Sequence, residues 1–188
     1  MVKKSVSTFQ KLKDKGEKIA MLTAYDYSTA QILEKINIDG ILVGDSLAQV
    51  VLGYENTYGV NLEEMLIFIK AVSRGAKSSF VIGDMPFMSY NISLEQGLEN
   101  AGKMIKAGAS AIKLEGCNEY IVNLVSRCVE SGIPVLGHLG FTPQLLNTIG
   151  GYKIQGKSAD TTEKILESAL KLQDAGAFAV VLELMPAQ

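Results

Sequence analysis

The sequence contains only two cysteines, one histidine, four prolines and no tryptophan in 188 residues. With so few cysteines, a disulfide-stabilised scaffold is not expected, and Cys117 and Cys128 are interpreted as free thiols. Because cysteine and histidine do not cluster anywhere, the sequence offers no zinc site of the usual kind. Any metal chemistry would therefore have to use carboxylates.

Other absences limit the partners. The 18 Lys and Arg are balanced by 20 Asp and Glu, which argues against a nucleic-acid-binding protein. No apolar run approaches the ~20 residues of a membrane-spanning helix. Residues 1–17 show no apolar core of a secretory signal, so a cytoplasmic protein is expected. No GxGxxG segment opens a helix after a strand, so nothing supports a dinucleotide site.

The sequence does contain a repeated alternation of short apolar runs and amphipathic segments. The apolar runs are hydrophobic on both faces, as in buried parallel strands, and the amphipathic segments have helical spacing and mostly end near a glycine. The predicted strands are residues 19–25, 41–43, 80–83, 111–114, 133–137 and 178–182. About six strand–helix repeats predict a parallel α/β fold, either a doubly wound open sheet or a TIM barrel.

A polar residue stands at or near the end of each predicted strand: Tyr25, Asp45, Asp84, Glu115, His138 and Glu183. In a doubly wound sheet the chemistry gathers at one switch point, whereas in a TIM barrel all strand ends meet at one mouth. The pattern therefore favours the barrel. A barrel typically needs eight units and ~250 residues. Either the chain is truncated, or the sheet stays open, or another piece completes the barrel.

These strand ends carry a specific chemistry. Asp45, Asp84 and Glu115 are hard oxygen donors, which favour Mg²⁺. Lys113 lies two residues before Glu115, so both side chains point to the same side of the sheet. A buried ammonium beside carboxylates suggests an anionic substrate such as a carboxylate. Glu183, on another strand, is then free to remove a proton next to the keto group of a metal-held 2-oxo acid.

Three further residues keep two interpretations each. Ser46 either hydrogen-bonds the substrate carboxylate or caps a helix. His138 either orients a neighbouring group at the site or is structural. Tyr25 either lines the mouth or only packs against it. The segment 139–157 is a long glycine-rich loop, and Gly150–Lys153 within it either contacts a phosphate or a pterin or belongs to a flexible lid.

Seven groups of residues stand out in order along the chain: Thr23–Asp26, Val43–Ser46, Asp84–Met88, Lys113–Gly116, Gly137–Gly140 with Thr142–Gln144, Gly150–Lys153 with Gln155–Gly156, and Leu182–Glu183. Together they resemble the ketopantoate hydroxymethyltransferase family. The resemblance runs from about Thr8 to Pro186.

The resemblance implies a (β/α)8 TIM barrel of the phosphoenolpyruvate-mutase-like type and a homodecamer of two stacked pentamers. It implies transfer of a one-carbon unit from 5,10-methylenetetrahydrofolate to 3-methyl-2-oxobutanoate, giving 2-dehydropantoate in pantothenate biosynthesis. Glu183 matches the family's proton acceptor, and Tyr25 and His138 would support the site. Mg²⁺ would be held by Asp45, Asp84 and Glu115. The 2-oxo acid would be held by Asp45, Ser46, Asp84 and Lys113.

The length of the chain leaves alternatives to this function. Family members continue through two more strands and their helices. Residues 1–188 are therefore expected to form a single barrel domain that lacks its C-terminal part and is inactive or poorly folded alone. Another alternative is a metal-enolate lyase of the phosphoenolpyruvate mutase/isocitrate lyase type. Such an enzyme generally carries a catalytic cysteine on a loop, for which Cys117 is poorly placed.

Overall fold

A computed structural model describes residues 2–186 of the chain. Its helices are α1 Val6–Asp14, α2 Tyr27–Lys35, α3 Leu47–Val50, α4 Leu62–Gly75, α5 Leu94–Lys106, α6 Glu119–Glu130, α7 Leu146–Ile149 and α8 Ala159–Asp174. Its strands are β1 Met21–Thr23, β2 Gly40–Val43, β3 Phe80–Asp84, β4 Ala111–Glu115, β5 Val135–Gly140 and β6 Ala179–Glu183. Residues 1, 187 and 188 of the predicted domain lie outside the described residues. Within residues 2–186, no helix has the length and apolar character needed to cross a membrane.

The six strands form one parallel sheet in which spatial order follows chain order, from β1 to β6. A doubly wound sheet reverses its strand order at a switch point, and no reversal occurs here. The predicted barrel-type order is therefore confirmed, and the doubly wound alternative is wrong. β1 and β6 are the outer strands, and no pairing joins them within residues 2–186.

Alternating side chains divide the sheet into two faces. The larger apolar core lies between the outer face and the helices, and includes Val81, Ile112 and Val135. A smaller cluster lies on the inner face: Phe9, Phe80, Ile82, Ala111 and Leu136. The ring of Phe9, from α1, lies 5.1 Å from the ring of Phe80, so α1 covers the amino-terminal ends of the strands.

Capping residues set where most of the helices begin. Asp26 caps α2 by accepting from the Thr29 amide, and Asn61 forms a capping box with Glu64 at the start of α4. Ser158 is the N-cap of α8, and Asp160 lies in its first turn, where the helix dipole stabilises a carboxylate.

Two strands, β1 and β5, differ from the prediction by more than one residue at each end. β1 covers only residues 21–23, whereas β5 continues past its predicted end at residue 137 to Gly140. His138 therefore lies within β5, with its side chain turned inward and buried. Gly140 ends the strand at φ +85°, and a Cβ there would approach the Glu183 carbonyl to 2.3 Å.

Two loops contain short helical turns. The loop between α3 and α4 contains a 3₁₀ turn at Thr57–Gly59. The glycine-rich segment 139–157 contains a 3₁₀ turn at Pro143–Leu145 followed by α7. This ordered turn after β5 brings a buried glutamine, Gln144, close to the strand ends.

Candidate active site

Asp84, Glu115, His138 and Glu183 face the inner side of the sheet because each has the same parity as an inward apolar residue of its strand. Asp45 lies in the loop after β2 and reaches the same cavity from there, although it has the parity of the outward Ile41 and Val43. Asp84 follows Phe80 and Ile82 in this alternation, and His138 follows Leu136. Neighbouring strands place Asp84 beside Lys113 and Glu115 beside His138. A cavity of about 310 Å³ opens at these ends, and its lining includes Asp45, Ser46, Asp84, Lys113, His138 and Glu183.

Asp84 and Lys113 form a buried ion pair. Lys113 Nζ donates to Asp84 Oδ2 at 2.7 Å, and the backbone amide of Asp45 donates to the same oxygen at 3.1 Å. Burial lowers the pKa of Lys113, but Asp84 and then Asp45 raise it, and the net direction is upward. The side chain therefore stays a cation, which supplies positive charge at the base of the cavity.

Asp45 is the carboxylate most affected by its surroundings. Burial, and then repulsion from Asp84, raise the pKa of Asp45 to about 7, while Lys113 acts in the opposite direction. Asp45 Oδ2 accepts from Gln144 Nε2 at 2.9 Å. With Asp84 and Glu115 nearby, the buried carboxylates outnumber the single ammonium of Lys113, so a cation bound at Asp45 would favour its ionised form.

His138 lies between two carboxylates. Its Nδ1 is 3.4 Å from Glu115 Oε1, and its Nε2 is 3.1 Å from Glu183 Oε2. Burial lowers the pKa of His138, but hydrogen bonding to Glu115 and Glu183 raises it above its ordinary value. The Glu183 side chain is 41% exposed, so it faces the cavity while His138 holds it from behind.

Ser46 and Tyr25 contact each other directly. The Tyr25 hydroxyl lies 2.8 Å from Ser46 Oγ. Ser46 stands at the N-cap of α3, yet its side chain makes no capping bond. The capping interpretation of Ser46 is therefore not supported, and its hydroxyl lines the cavity beside Asp45.

The predicted metal ligands lie in the same region but are not joined in a ready-made cluster. Within residues 2–186, no three His, Cys, Asp or Glu side chains are arranged to hold a metal ion as they stand. Lys113 is bound to Asp84, and Gln144 links Asp45 to Glu115. The set Asp45, Asp84 and Glu115 therefore stays a prediction.

Two observations nevertheless fit a divalent cation among these carboxylates. Within residues 2–186, Asp84 Oδ1 is a buried atom without a hydrogen-bond partner, and the buried Glu115 Oε1 has only the 3.4 Å contact with His138 Nδ1. A buried oxygen of this kind is costly unless a donor or a cation satisfies it. Carboxylate oxygens are also the ligands that suit Mg²⁺. The residues present therefore fit a magnesium ion.

Two further residues belong to the site but are not among those predicted from the sequence. Gln144 is 5% exposed and contacts both Asp45 and Glu115. Thr57 lines the cavity with a buried hydroxyl that has no hydrogen-bond partner among residues 2–186. Gln144 occurs in one of the segments that carry the resemblance, which is the only signal that could have singled it out. Thr57 has no such signal.

Cys117 does not contribute to the cavity described here. Its thiol donates to the Ser168 carbonyl at 3.2 Å, and burial raises its pKa. It is not among the residues that line the cavity within the described part of the chain. This placement gives no support to chemistry based on a loop cysteine.

A sequence model described as "Ketopantoate hydroxymethyltransferase" matches residues 3–188. The chain belongs to the ketopantoate hydroxymethyltransferase family. It is 51% identical over 188 residues to the 3-methyl-2-oxobutanoate hydroxymethyltransferase of Clostridium novyi, covering all of this chain and 68% of that one. It is 54% identical to that of Carboxydothermus hydrogenoformans, covering 97% of this chain and 66% of the relative. The chain thus spans about two thirds of the length of these relatives.

Solved structures support the fold of this family member. A phosphonopyruvate hydrolase in complex with oxalate and Mg²⁺ superposes with a TM-score of 0.73 at 14% identity, covering 96% of this chain and 63% of that one. A 2,3-dimethylmalate lyase, described as a PEP mutase/isocitrate lyase superfamily member, gives a TM-score of 0.68 at 18% identity, covering 97% and 62%. The six-stranded sheet therefore has the phosphoenolpyruvate-mutase-like barrel fold over the part that these residues span.

Proposed function

We propose that the protein transfers a hydroxymethyl group to 3-methyl-2-oxobutanoate, giving 2-dehydropantoate. One observation carries the proposal within this family. Residues from the ends of five consecutive strands, β2 to β6, meet around one cavity. Its lining includes the ammonium group of Lys113, the carboxylates of Asp45 and Asp84, and the partly exposed Glu183. This set can bind an anionic 2-oxo acid and remove a proton from it.

Each residue has a role in the proposed reaction. Lys113 would attract the substrate anion, and the Ser46 hydroxyl, held by Tyr25, would hydrogen-bond its carboxylate. Asp45, Asp84 and Glu115 would hold Mg²⁺. When bound, the ion supplies positive charge that stabilises negative charge on the keto oxygen.

Proton removal is assigned to Glu183. Its carboxylate would accept the proton from C3 of the 2-oxo acid. His138 Nε2, 3.1 Å from Glu183 Oε2, would hold the carboxylate in place. The nucleophilic carbon formed in this way would bond to the one-carbon unit of 5,10-methylenetetrahydrofolate. One water molecule would supply the hydroxyl, the two bonds from the one-carbon unit to the folate nitrogens would break, and tetrahydrofolate would leave with the proton from C3 and one from water.

We also propose that the protein is a homodecamer in the cytoplasm, as the resemblance implies. Exposed isoleucines support an oligomer. Ile32 on α2, Ile36 at the C-cap of α2 and Ile67 on α4 are each more than 60% exposed. Apolar side chains on two packed helices are typical of a subunit interface. The mass of the native protein by size-exclusion chromatography with light scattering tests the number of subunits.

The test of function is proton exchange at C3 of 3-methyl-2-oxobutanoate in D₂O, followed by NMR with the intact native protein and no folate. Glu183→Gln removes the base and keeps the size of the side chain, so exchange is expected to fall by about 10²- to 10⁴-fold. Chelation of the metal is expected to abolish exchange in the unaltered protein, and added Mg²⁺ to restore it.

Glu167→Gln is the matched control because Glu167 is an exposed glutamate on α8. This variant should exchange at the unaltered rate. Unchanged exchange in Glu183→Gln would show that another group is the base. If the unaltered protein neither exchanges the proton nor forms 2-dehydropantoate with the folate donor, the proposed function is wrong.

A further inference from the structure

Gln144 uses its backbone amide and both polar atoms of its side chain at the site. Its side-chain Nε2 donates to Asp45 Oδ2 and to the Met85 carbonyl, each at 2.9 Å. Its Oε1 accepts from the Tyr90 hydroxyl at 2.7 Å. Its backbone amide donates to Glu115 Oε2 at 3.0 Å. One residue thus contacts two of the three carboxylates proposed as metal ligands.

These contacts allow only one orientation of the amide. On one side, the ionised Asp45 carboxylate and the Met85 carbonyl present only acceptor atoms, so the NH₂ group faces them. On the other side, the Tyr90 hydroxyl donates to the amide oxygen. Rotating the amide by 180° would place its oxygen against a carboxylate and a carbonyl. Tyr90 is 1% exposed, and its ring is therefore held firmly by the core.

Gln144 acts on the site from behind. Asp45 lines the cavity, whereas neither Gln144 nor Tyr90 is among its described lining residues. A glutamine in this position cannot bind a substrate in the cavity directly. It can fix the direction of the Asp45 carboxylate, because a hydrogen bond to one oxygen limits rotation of the whole group.

We propose that Gln144, oriented by Tyr90, is a positioning residue that holds Asp45 and Glu115 for binding of a divalent cation. The inference rests on the proposed function, in which both carboxylates are metal ligands. Groups that orient metal ligands typically change metal affinity by 10- to 100-fold when removed. Gln144 and Tyr90 therefore influence the Mg²⁺ affinity of the site.

The test measures the Mg²⁺ dissociation constant by calorimetry on the intact native protein, without substrate. Gln144→Met keeps the length of the side chain but removes its hydrogen bonds, and is expected to weaken Mg²⁺ binding by about 10- to 100-fold. Saturating Mg²⁺ should restore most of the C3 exchange rate. A residue that only stabilised the fold would not show this recovery.

Tyr90→Phe is the second variant, because it removes one hydroxyl and keeps the buried ring. It is expected to weaken Mg²⁺ binding less than Gln144→Met does. Gln96→Met is the matched control: the Gln96 side chain accepts from the Ile92 amide at 3.3 Å, and Gln96 does not line the cavity. Its Mg²⁺ affinity should equal that of the unaltered protein.

The outcomes separate this inference from the function itself. If Gln144→Met folds and binds Mg²⁺ as tightly as the unaltered protein, the positioning role is wrong while the proposed function stands. The role is also wrong if the exchange rate falls and saturating Mg²⁺ does not restore it. If Gln144→Met does not fold, unchanged affinity in Tyr90→Phe overturns the role. If the unaltered protein neither binds Mg²⁺ nor exchanges the proton, both proposals fail.

Discussion

At the scale of single residues, the ion pair between Lys113 and Asp84 is the strongest charged contact of the site. Both side chains are less than 10% exposed and their charged atoms are 2.7 Å apart. Removing one partner of a buried pair leaves the other charge without compensation, which costs about 3–5 kcal/mol. The pair is therefore expected to matter for folding as well as for substrate binding.

Lys113→Met tests this expectation. The free energy of unfolding, measured by urea denaturation, should fall by about 3–5 kcal/mol. The double variant Lys113→Met with Asp84→Asn removes both charges and should recover much of the loss, but it should not recover C3 exchange. Lys103→Met is the control, because its ion pair with Glu99 is exposed and should contribute no more than about 1 kcal/mol. A loss of stability in Lys113→Met no larger than in this control would contradict the argument.

At the scale of elements, a glutamate ties α2 to the residues before β3. Glu34 accepts hydrogen bonds from the backbone amides and the hydroxyls of both Ser78 and Ser79. Burial raises the pKa of Glu34, but the hydrogen bonds together lower it by more than burial raises it. The pKa is therefore about 2, below the ordinary value of 4.5. The ionised form is therefore the one that stabilises the fold.

The contribution of Glu34 should depend on pH with a definite sign. Because the folded pKa lies below the unfolded one, the stabilisation is complete above pH 4.5 and is lost as the pH falls towards about 2. Glu34→Gln replaces one acceptor oxygen by an NH₂ group and should lower the free energy of unfolding by about 1–3 kcal/mol at neutral pH. Urea denaturation of both proteins at several pH values should show this difference shrinking below pH 4.5. A difference that stays constant or grows on acidification would show that the carboxylate is not responsible.

The positions of the strands, and the faces of their side chains, could largely be predicted from the sequence. The sequence predicts the strands because short apolar runs bounded by glycines are typical of strands in a sheet that is buried on both faces. The inward direction of Asp84 and Lys113 then follows from alternation and register. The end of β5 was placed too early because a histidine inside a strand looks like a strand end until its burial is known.

Contacts between distant segments were harder to predict. Gln144 has no charge, periodicity or apolar pattern to mark it, and its partner Asp45 is 99 residues away in the chain. The hydrogen bond between Tyr25 and Ser46 likewise depends on how two adjacent strand ends approach each other. Sequence patterns locate the charged groups of the site, whereas the neutral groups that hold them depend on the three-dimensional packing.

At the scale of the whole molecule, the sheet of the described residues has two outer strands. β1 and β6 have no pairing with each other within residues 2–186, and Leu22 and Leu182 on these strands are 52% and 55% exposed. A cavity of about 640 Å³ lies between α1 and α8, next to β6, and many of its lining residues are apolar. Unpaired strand edges next to apolar surface promote association between chains.

A polypeptide of these 188 residues alone is therefore expected to self-associate into a broad range of sizes that grows with concentration. Light scattering after size-exclusion chromatography measures this directly, and it distinguishes such growth from an assembly of fixed mass. Leu182→Lys places a charge on an outer strand and should reduce the association. Ile92→Lys changes another exposed apolar residue, which lies in the loop between β3 and α5 and not on an outer strand, and should not reduce the association. If the 188-residue polypeptide stays a monomer of constant mass as its concentration rises, the exposed strands do not drive association, and the edges must be protected by another arrangement of the chain.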